Sequence, residues 1–302
     1  MNSGTALRHH ALVYESDDEY VARTAAFLSE GLEAGEACVL GDTRDGAAMV
    51  REALGSDADN VAFFDIAPVY TRPAHAVATY FRTFTEQLRN APSVRAVASG
   101  QFAITPGDSA EWTSYEAITN LAYSHLPVWV VCAYDASRLP DSLVEAVLRT
   151  HPEVLGDSCQ MSDHYEDPRE LVRELTPQPE PLPKLRSLPP MDSVELFREQ
   201  LAREIAAERV PEARALQVLV AASEVASNAL THGDGIAEVR VGRAYGRLVC
   251  DVIDRGRGFD DPMAGYMVPR EGTARGLWIA RQLSWEIEHF DSPRGFTVRI
   301  WF

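Results

Sequence analysis

The run Ser223-Glu224-Val225-Ala226-Ser227-Asn228-Ala229-Leu230-Thr231-His232-Gly233 reads as the end of a long helix that stops at a glycine. Glu224 and Asn228 are four positions apart and so share a helical face. Leu216, Leu219, Val220 and Ala226 supply a packing stripe for that helix. A carboxylate and a carboxamide oxygen projecting together can hold Mg²⁺ through a few oxygens and leave its other positions to phosphate and water. Taken alone, the pair also reads as a solvated helix face.

Downstream lies Leu248-Val249-Cys250-Asp251-Val252-Ile253-Asp254, an apolar strand ending in an acid, followed by Arg255-Gly256-Arg257-Gly258-Phe259. A carboxylate at such a strand end can accept a hydrogen bond from an exocyclic amine, as of adenine, and Gly256 and Gly258 permit close backbone approach. Arg275-Gly276-Leu277 then opens a helix whose free N–H groups favour a phosphate. Each segment has a plain reading, as a turn after a strand or an ordinary helix start. Their joint order and spacing describe a Mg-nucleotide pocket.

Around this set, residues 193–208 and 211–230 read as helices, 237–244 and 248–254 as a hairpin around Tyr245-Gly246, 274–283 as a helix, and 285–290 with 296–302 as a closing hairpin. Helices followed by antiparallel strands predict an α+β two-layer sandwich over residues 191–302. Residues 8–155 differ. Short apolar strands at 10–14, 36–40, 61–65, 94–97 and 128–133 alternate with amphipathic helices at 19–32, 45–54, 74–88, 109–124 and 139–149. That alternation predicts an α/β domain with a mostly parallel sheet covered on both faces. Residues 156–190 are polar and proline-rich, with Pro177, Pro179, Pro181, Pro183, Pro189 and Pro190, and read as a linker with a short helix around 170–174.

The chain has 302 residues, 46% hydrophobic, with a formal charge of −17. That length suits about two domains. No apolar run approaches the roughly 20 residues a membrane span needs. Met1–His10 lacks an apolar signal core, so a cytoplasmic protein is expected. The acidic balance argues against direct nucleic-acid binding and suits a basic protein partner. Cys38, Cys132, Cys159 and Cys250 are scattered, and three lie in apolar runs, which reads as buried free thiols rather than a metal or redox site. Lys184 is the only lysine and lies in the linker, which excludes a Schiff base or a Walker lysine elsewhere.

Glu224, Asn228 and His232, then Asp254, Gly256 and Gly258, then Gly272, Arg275 and Gly276, resemble the three boxes of the gyrase/histidine-kinase-like ATPases, and specifically the small anti-sigma-factor serine kinases. The resemblance covers residues 191–302. It implies ATP and Mg²⁺ as cofactors, Asn228 on the metal, Asp254 on adenine, Glu224 as general base and residues 260–275 as a lid. His232, Gly256, Gly258, Arg275, Gly276 and Leu277 would line the nucleotide site, and Thr297 is expected to reach the Asp254–adenine contact through water. Two departures stand out. The third box, Gly272-Thr273-Ala274-Arg275-Gly276, has fewer glycines than the fullest pattern. No histidine lies on a dimerising helix: His164 is in the linker, His232 ends a helix and His289 is in a strand. Transfer to a partner's serine or threonine therefore fits better than autophosphorylation on histidine.

The first domain has no Gly-x-x-x-x-Gly-Lys-[Ser/Thr], and its Gly31/Gly35 loop runs from helix to strand, the wrong order for a phosphate cradle. Its candidate ligand groups are His9, His10, Tyr14, Glu116, Asn120, Tyr134 and Asp135. Tyr134-Asp135 follows a buried strand, at the carboxyl edge where parallel sheets bind ligands; an aspartate cap leading to Leu139 is the alternative. His10-Ala11-Leu12-Val13-Tyr14, Gly35-Glu36, residues 116–120, residues 132–135 and Thr150-His151-Pro152 are similar to the MEDS sensory domain, named after methanogen, methylotroph and dichloromethane-regulator proteins. In that family's pattern the stretch at Gly100-Gln101-Phe102 is more acidic.

The expected function is a sensor-regulator. The first domain would sense a small molecule. The second would bind ATP·Mg²⁺ and hold a sigma factor or phosphorylate an anti-sigma antagonist, as a homodimer by analogy. A non-catalytic nucleotide switch and a histidine kinase whose acceptor lies on another chain are the alternatives.

Overall fold

The computed structural model describes residues 6–99, 109–156, 159–180, 182, 185–269 and 275–302. The chain divides into two compact units, residues 1–176 and 177–302. Gly100-Gln101-Phe102, Lys184 and Gly272 lie outside the described residues, as does part of the expected lid.

In the first unit, strands β1 (Arg8–Tyr14), β2 (Ala37–Asp42), β3 (Val61–Asp65), β4 (Val94–Ser99), β5 (Val128–Asp135), β6 (Glu153–Leu155) and β7 (Cys159–Met161) form one sheet in the order β3-β2-β4-β5-β1-β6-β7. All pairings are parallel except β6 with β7. The helices between them are α1 (Asp17–Glu33), α2 (Arg44–Leu54), α3 (Pro73–Gln87), α4 (Ser109–Ala122) and α5 (Asp141–Thr150), with α6 (Pro168–Leu175) after the last strand. Ser16 and Thr43 start α1 and α2 by accepting the Glu19 and Gly46 N–H groups.

Because side chains alternate across a strand, β1 and β5 send two sets of residues to opposite faces. Leu12 and Tyr14, with Val131 and Ala133, join the core under α1 and α2, together with Tyr20, Leu28 and Leu40. His9, Ala11, Val130, Cys132 and Tyr134 face the other way. Asp42, fully buried at the end of β2, accepts from the Tyr20 hydroxyl at 2.5 Å and the Thr43 N–H at 2.7 Å. Burial holds its carboxyl above the usual range, opposed by these bonds. Tyr20→Phe should therefore cost about 1.5–3 kcal/mol in denaturant unfolding, most of it at the higher pH where Asp42 is ionised and has lost a donor.

The proline-rich segment is not a free tether throughout. Leu171 and Val172 of α6 are buried in the first unit, and β8 (Arg186–Ser187) pairs with the sheet of the second.

In the second unit, β9 (Ile236–Ala244), β10 (Arg247–Asp254), β11 (Glu286–Ser292) and β12 (Gly295–Trp301) join β8 in an antiparallel sheet ordered β11-β12-β10-β9-β8. Helices α7 (Val194–Ala207), α8 (Glu212–His232) and α9 (Gly276–Leu283) cover one face. Leu248, Cys250 and Val252 of β10 and Val298 and Ile300 of β12 meet Phe197, Leu201, Val218, Ala222 and Val225 there. The face of α8 that packs is thus the small-residue stripe Val218, Ala221, Ala222, Val225, Ala226 and Ala229. Leu216 and Val220, expected to pack, are 65% and 36% exposed; the stripe lies a few positions round the helix, where alanines let α8 approach the sheet closely. No helix among the described residues is long and apolar enough to cross a membrane.

Candidate functional site

On β10, Leu248, Cys250 and Val252 point to the helical layer, and the same parity carries Asp254 to that face at the strand's open end. Its Oδ1 accepts the Gly256 N–H at 2.9 Å. A Cβ at Gly233 would sit 2.6 Å from Oδ2, so only a glycine can end α8 this close to the carboxylate. Burial raises the Asp254 carboxyl above its usual range, with the Gly256 bond pulling against it. Gly258, at φ 65°, carries the loop over the Phe296 ring at a distance no side chain could share.

At the other end of the site, α8 and α9 bring the first and third segments together. A Cβ on Gly276 would stand 2.9 Å from Glu224 Oε2 and 3.4 Å from the Asn228 amide atoms. The first turn of α9 therefore faces the acid–amide pair without an intervening side chain. Between the two ends runs a cleft of about 500 Å³, lined by Asn228, His232, Gly233, Asp254, Gly256, Gly258, Leu277 and Phe296 among others. That is the size of a cofactor site, and its wall is mixed: apolar from Val225, Val252 and Leu277, polar at Asn228 and Asp254. Arg275 is exposed immediately before α9, and His232 is exposed at the end of α8.

Thr297 departs from expectation. It pairs with Ile253, whereas Asp254 pairs with Phe296, so Thr297 projects from the opposite face of the sheet. There its hydroxyl donates to Ser292 Oγ at 3.1 Å, in a second cleft with Asp251 and Arg299. Phe296 takes the place beside Asp254. With Phe259 at 5.1 Å and His289 4.7 Å from Phe259, it makes an aromatic wall that residue spacing did not announce. Burial, and then Arg281, pushes the His289 imidazole down to about 4, so the wall is uncharged at neutral pH.

The candidates of the first unit divide into two groups. Glu116, Asn120 and Tyr134 converge with His9: Tyr134 donates to Glu116 Oε1 at 2.9 Å, and His9 Nδ1 lies 3.1 Å from Asn120 Oδ1. His10, Tyr14 and Asp135 belong to the opposite sheet face. His10 accepts from Trp129 Nε1 at 3.3 Å, and burial pushes its imidazole down to about 4 despite the opposing pull of Glu153. Tyr14 is buried against Tyr20, ring centroids 5.0 Å apart. Asp135 accepts from the Ser137 N–H at 3.0 Å and hydroxyl at 2.5 Å, which closes a turn and not the expected helix cap, since α5 starts at Asp141 after Pro140. Cys132 and His151, not among the candidates, complete the first group: His9 Nε2 is 3.3 Å from Cys132 Sγ, and His151 Nε2 is 3.9 Å from Glu116 Oε2.

Comparison with protein families agrees with this division. Residues 8–152 match the model of the methanogen/methylotroph, DcmR sensory domain (MEDS), and residues 189–302 match that of the histidine kinase-like ATPase domain. A comparison with curated proteins finds no match. The parallel sheet of the first unit and the helix-covered antiparallel sheet of the second accord with both matches. The chain joins a MEDS sensory domain to a histidine kinase-like ATPase domain, and so combines signal sensing with nucleotide binding.

Proposed function

We propose that this protein is a sensor-regulator whose second domain binds ATP with Mg²⁺ and acts on a protein partner, either holding a sigma factor or phosphorylating an anti-sigma antagonist on serine or threonine. The observation that supports it is the arrangement around one cleft: Asn228 and Leu277 line it together with Asp254, and Glu224 stands next to Asn228 against Gly276 at the start of α9. When bound, Mg²⁺·ATP would supply the phosphoryl group and the charge neutralisation that its transfer needs. Asn228, through its amide oxygen, would hold the metal. Asp254 would accept the adenine amine, and the N–H groups of the first turn of α9 would face phosphate oxygens. Glu224 is half-buried beside Gly276, where its carboxylate can take the proton of an incoming hydroxyl.

Among the described residues, α7 carries no histidine, His232 ends α8 and His289 is packed in β11, which favours a hydroxyl acceptor on a partner over a histidine on this chain. Titration calorimetry with ATP, with and without Mg²⁺, tests the cleft. Wild-type protein should bind more tightly with the metal, and Asn228→Ala should lose about tenfold in the metal-dependent part of the affinity. Labelled ATP and the cognate antagonist then test transfer. Absence of ATP binding by the folded protein would remove the proposal, and binding without transfer would leave a nucleotide-dependent switch.

A further inference from the structure

We propose that His9, Glu116, Cys132 and His151 form a binding site for a single divalent transition-metal ion of the zinc class in the sensory domain. One potential ligand atom from each of the four lies within 4.8 Å of all the others, and all four residues are buried. They come from four elements: β1, α4, β5 and the residue that follows α5. Four of the six separations are 3.3 Å for His9 Nε2 to Cys132 Sγ, 3.5 Å for His9 Nε2 to Glu116 Oε2, 3.7 Å for Cys132 Sγ to Glu116 Oε2 and 3.9 Å for His151 Nε2 to Glu116 Oε2. A tetrahedral ion with bonds of about 2.0–2.3 Å sets its ligand atoms roughly 3.3–3.7 Å apart.

The hydrogen bonds around the cluster leave the imidazole lone pairs pointing inward. Asn120 Nδ2 donates to the carbonyls of Glu116 and Thr150, which turns its Oδ1 toward His9 Nδ1. His9 therefore carries its proton on Nδ1, and Nε2 presents a lone pair. His151 Nδ1 lies 2.9 Å from the Val147 carbonyl, an acceptor, so its proton is also on Nδ1. His151 Nε2, in a fully buried residue, has no hydrogen-bond partner. An amide, a backbone carbonyl and the Tyr134 hydroxyl thus orient His9, His151 and Glu116 from behind, as outer partners do in metal sites.

Two imidazole lone pairs and a carboxylate oxygen face one thiol, which cannot satisfy all of them. A dication can. On binding, the metal–sulfur bond forms as the Cys132 S–H bond breaks and its proton leaves to water. The thiolate and the Glu116 carboxylate then balance the two positive charges, so the buried site is neutral. Neutral imidazole is the ligating form.

Space limits the occupant further. The cavity beside the cluster, bounded by Tyr115 and Tyr123, is about 10 Å³, room for one water and not for an organic molecule. Mixed nitrogen, sulfur and oxygen donors select zinc or a similar ion over Mg²⁺ or Ca²⁺, which take oxygen.

Cobalt(II) titration of the full-length, untagged, chelator-treated protein tests the site. One ion per chain should bind and give a thiolate-to-cobalt charge-transfer band with strong visible bands, and Zn²⁺ should displace it. Cys132→Ser should lose the charge-transfer band, Cys159→Ser should keep it, and His151→Gln should weaken the ion at least about tenfold. If Cys132→Ser does not fold, the wild-type titration decides alone. A folded wild-type protein with no saturable thiolate band, the cluster then holding water, overturns the proposal. So does a band that survives Cys132→Ser or disappears in Cys159→Ser. The result does not depend on whether the second domain binds ATP.

Discussion

Asp254→Asn should weaken ATP binding by roughly 10- to 100-fold and make the protein more resistant to heat at neutral pH. The first effect follows from the charge on the acceptor: a hydrogen bond to an ionised group contributes about 1.5–3 kcal/mol, and an amide can turn a donor toward the adenine amine. The second follows from burial, which raises the Asp254 carboxyl above its ordinary 3.8. A carboxyl with a raised folded pKa binds its proton more tightly in the folded state. Its contribution to stability is complete below the unfolded pKa and is lost as pH rises through the folded one. At pH 7 the ionised group therefore destabilises the fold, and the uncharged amide relieves that. Asn can keep the acceptor for the Gly256 N–H, so the loop need not move. Thr297→Ala, on the opposite sheet face, is the control and should bind ATP as wild type does. Calorimetry and thermal melts read both effects. Loss of binding with a lower melting temperature would mean that Asp254 is structural, and unchanged binding would mean that it does not face the nucleotide.

How much of this site the sequence discloses depends on whether a residue's direction is local. Glu224 and Asn228 are on one helix, so their common face follows from their spacing alone. Asp254 ends an alternating strand, and its direction follows from Leu248, Cys250 and Val252. Phe296 and Thr297 differ. Which of two adjacent residues faces the cleft beside Asp254 depends on the pairing of β10 with β12, and a shift of one position exchanges them. Family resemblance favours the threonine, and register gives the place to the phenylalanine.

The sensory domain repeats the lesson. His9 and His10 are neighbours in sequence, yet the pleat sends them to opposite faces of the sheet. Cys132 reads as a buried apolar thiol because its strand is apolar. Its meeting with His9, Glu116 and His151 requires β1 beside β5, an order the alternating pattern of strands and helices does not specify. The short strands β6 and β7 have three residues each, half-exposed or exposed, too few to show a period.

Glu224→Gln should separate transfer from binding. The substitution keeps size and hydrogen-bonding shape and removes the base. If Glu224 accepts the proton of the incoming hydroxyl, transfer to the antagonist falls about 10²- to 10⁴-fold, the range for a positioned general base. ATP affinity should stay within roughly threefold, because Asn228, Asp254 and the start of α9 are untouched. The contrast with Asn228→Ala is the informative part: that change should weaken Mg²⁺-dependent binding itself. The two residues share a helical face, and both stand against Gly276, so a disturbance of local packing would affect both measurements in both variants. A base and a metal ligand affect different ones. Equal transfer by Glu224→Gln and wild type would mean that Glu224 is not the base and that its place beside Gly276 serves the packing of α9 instead.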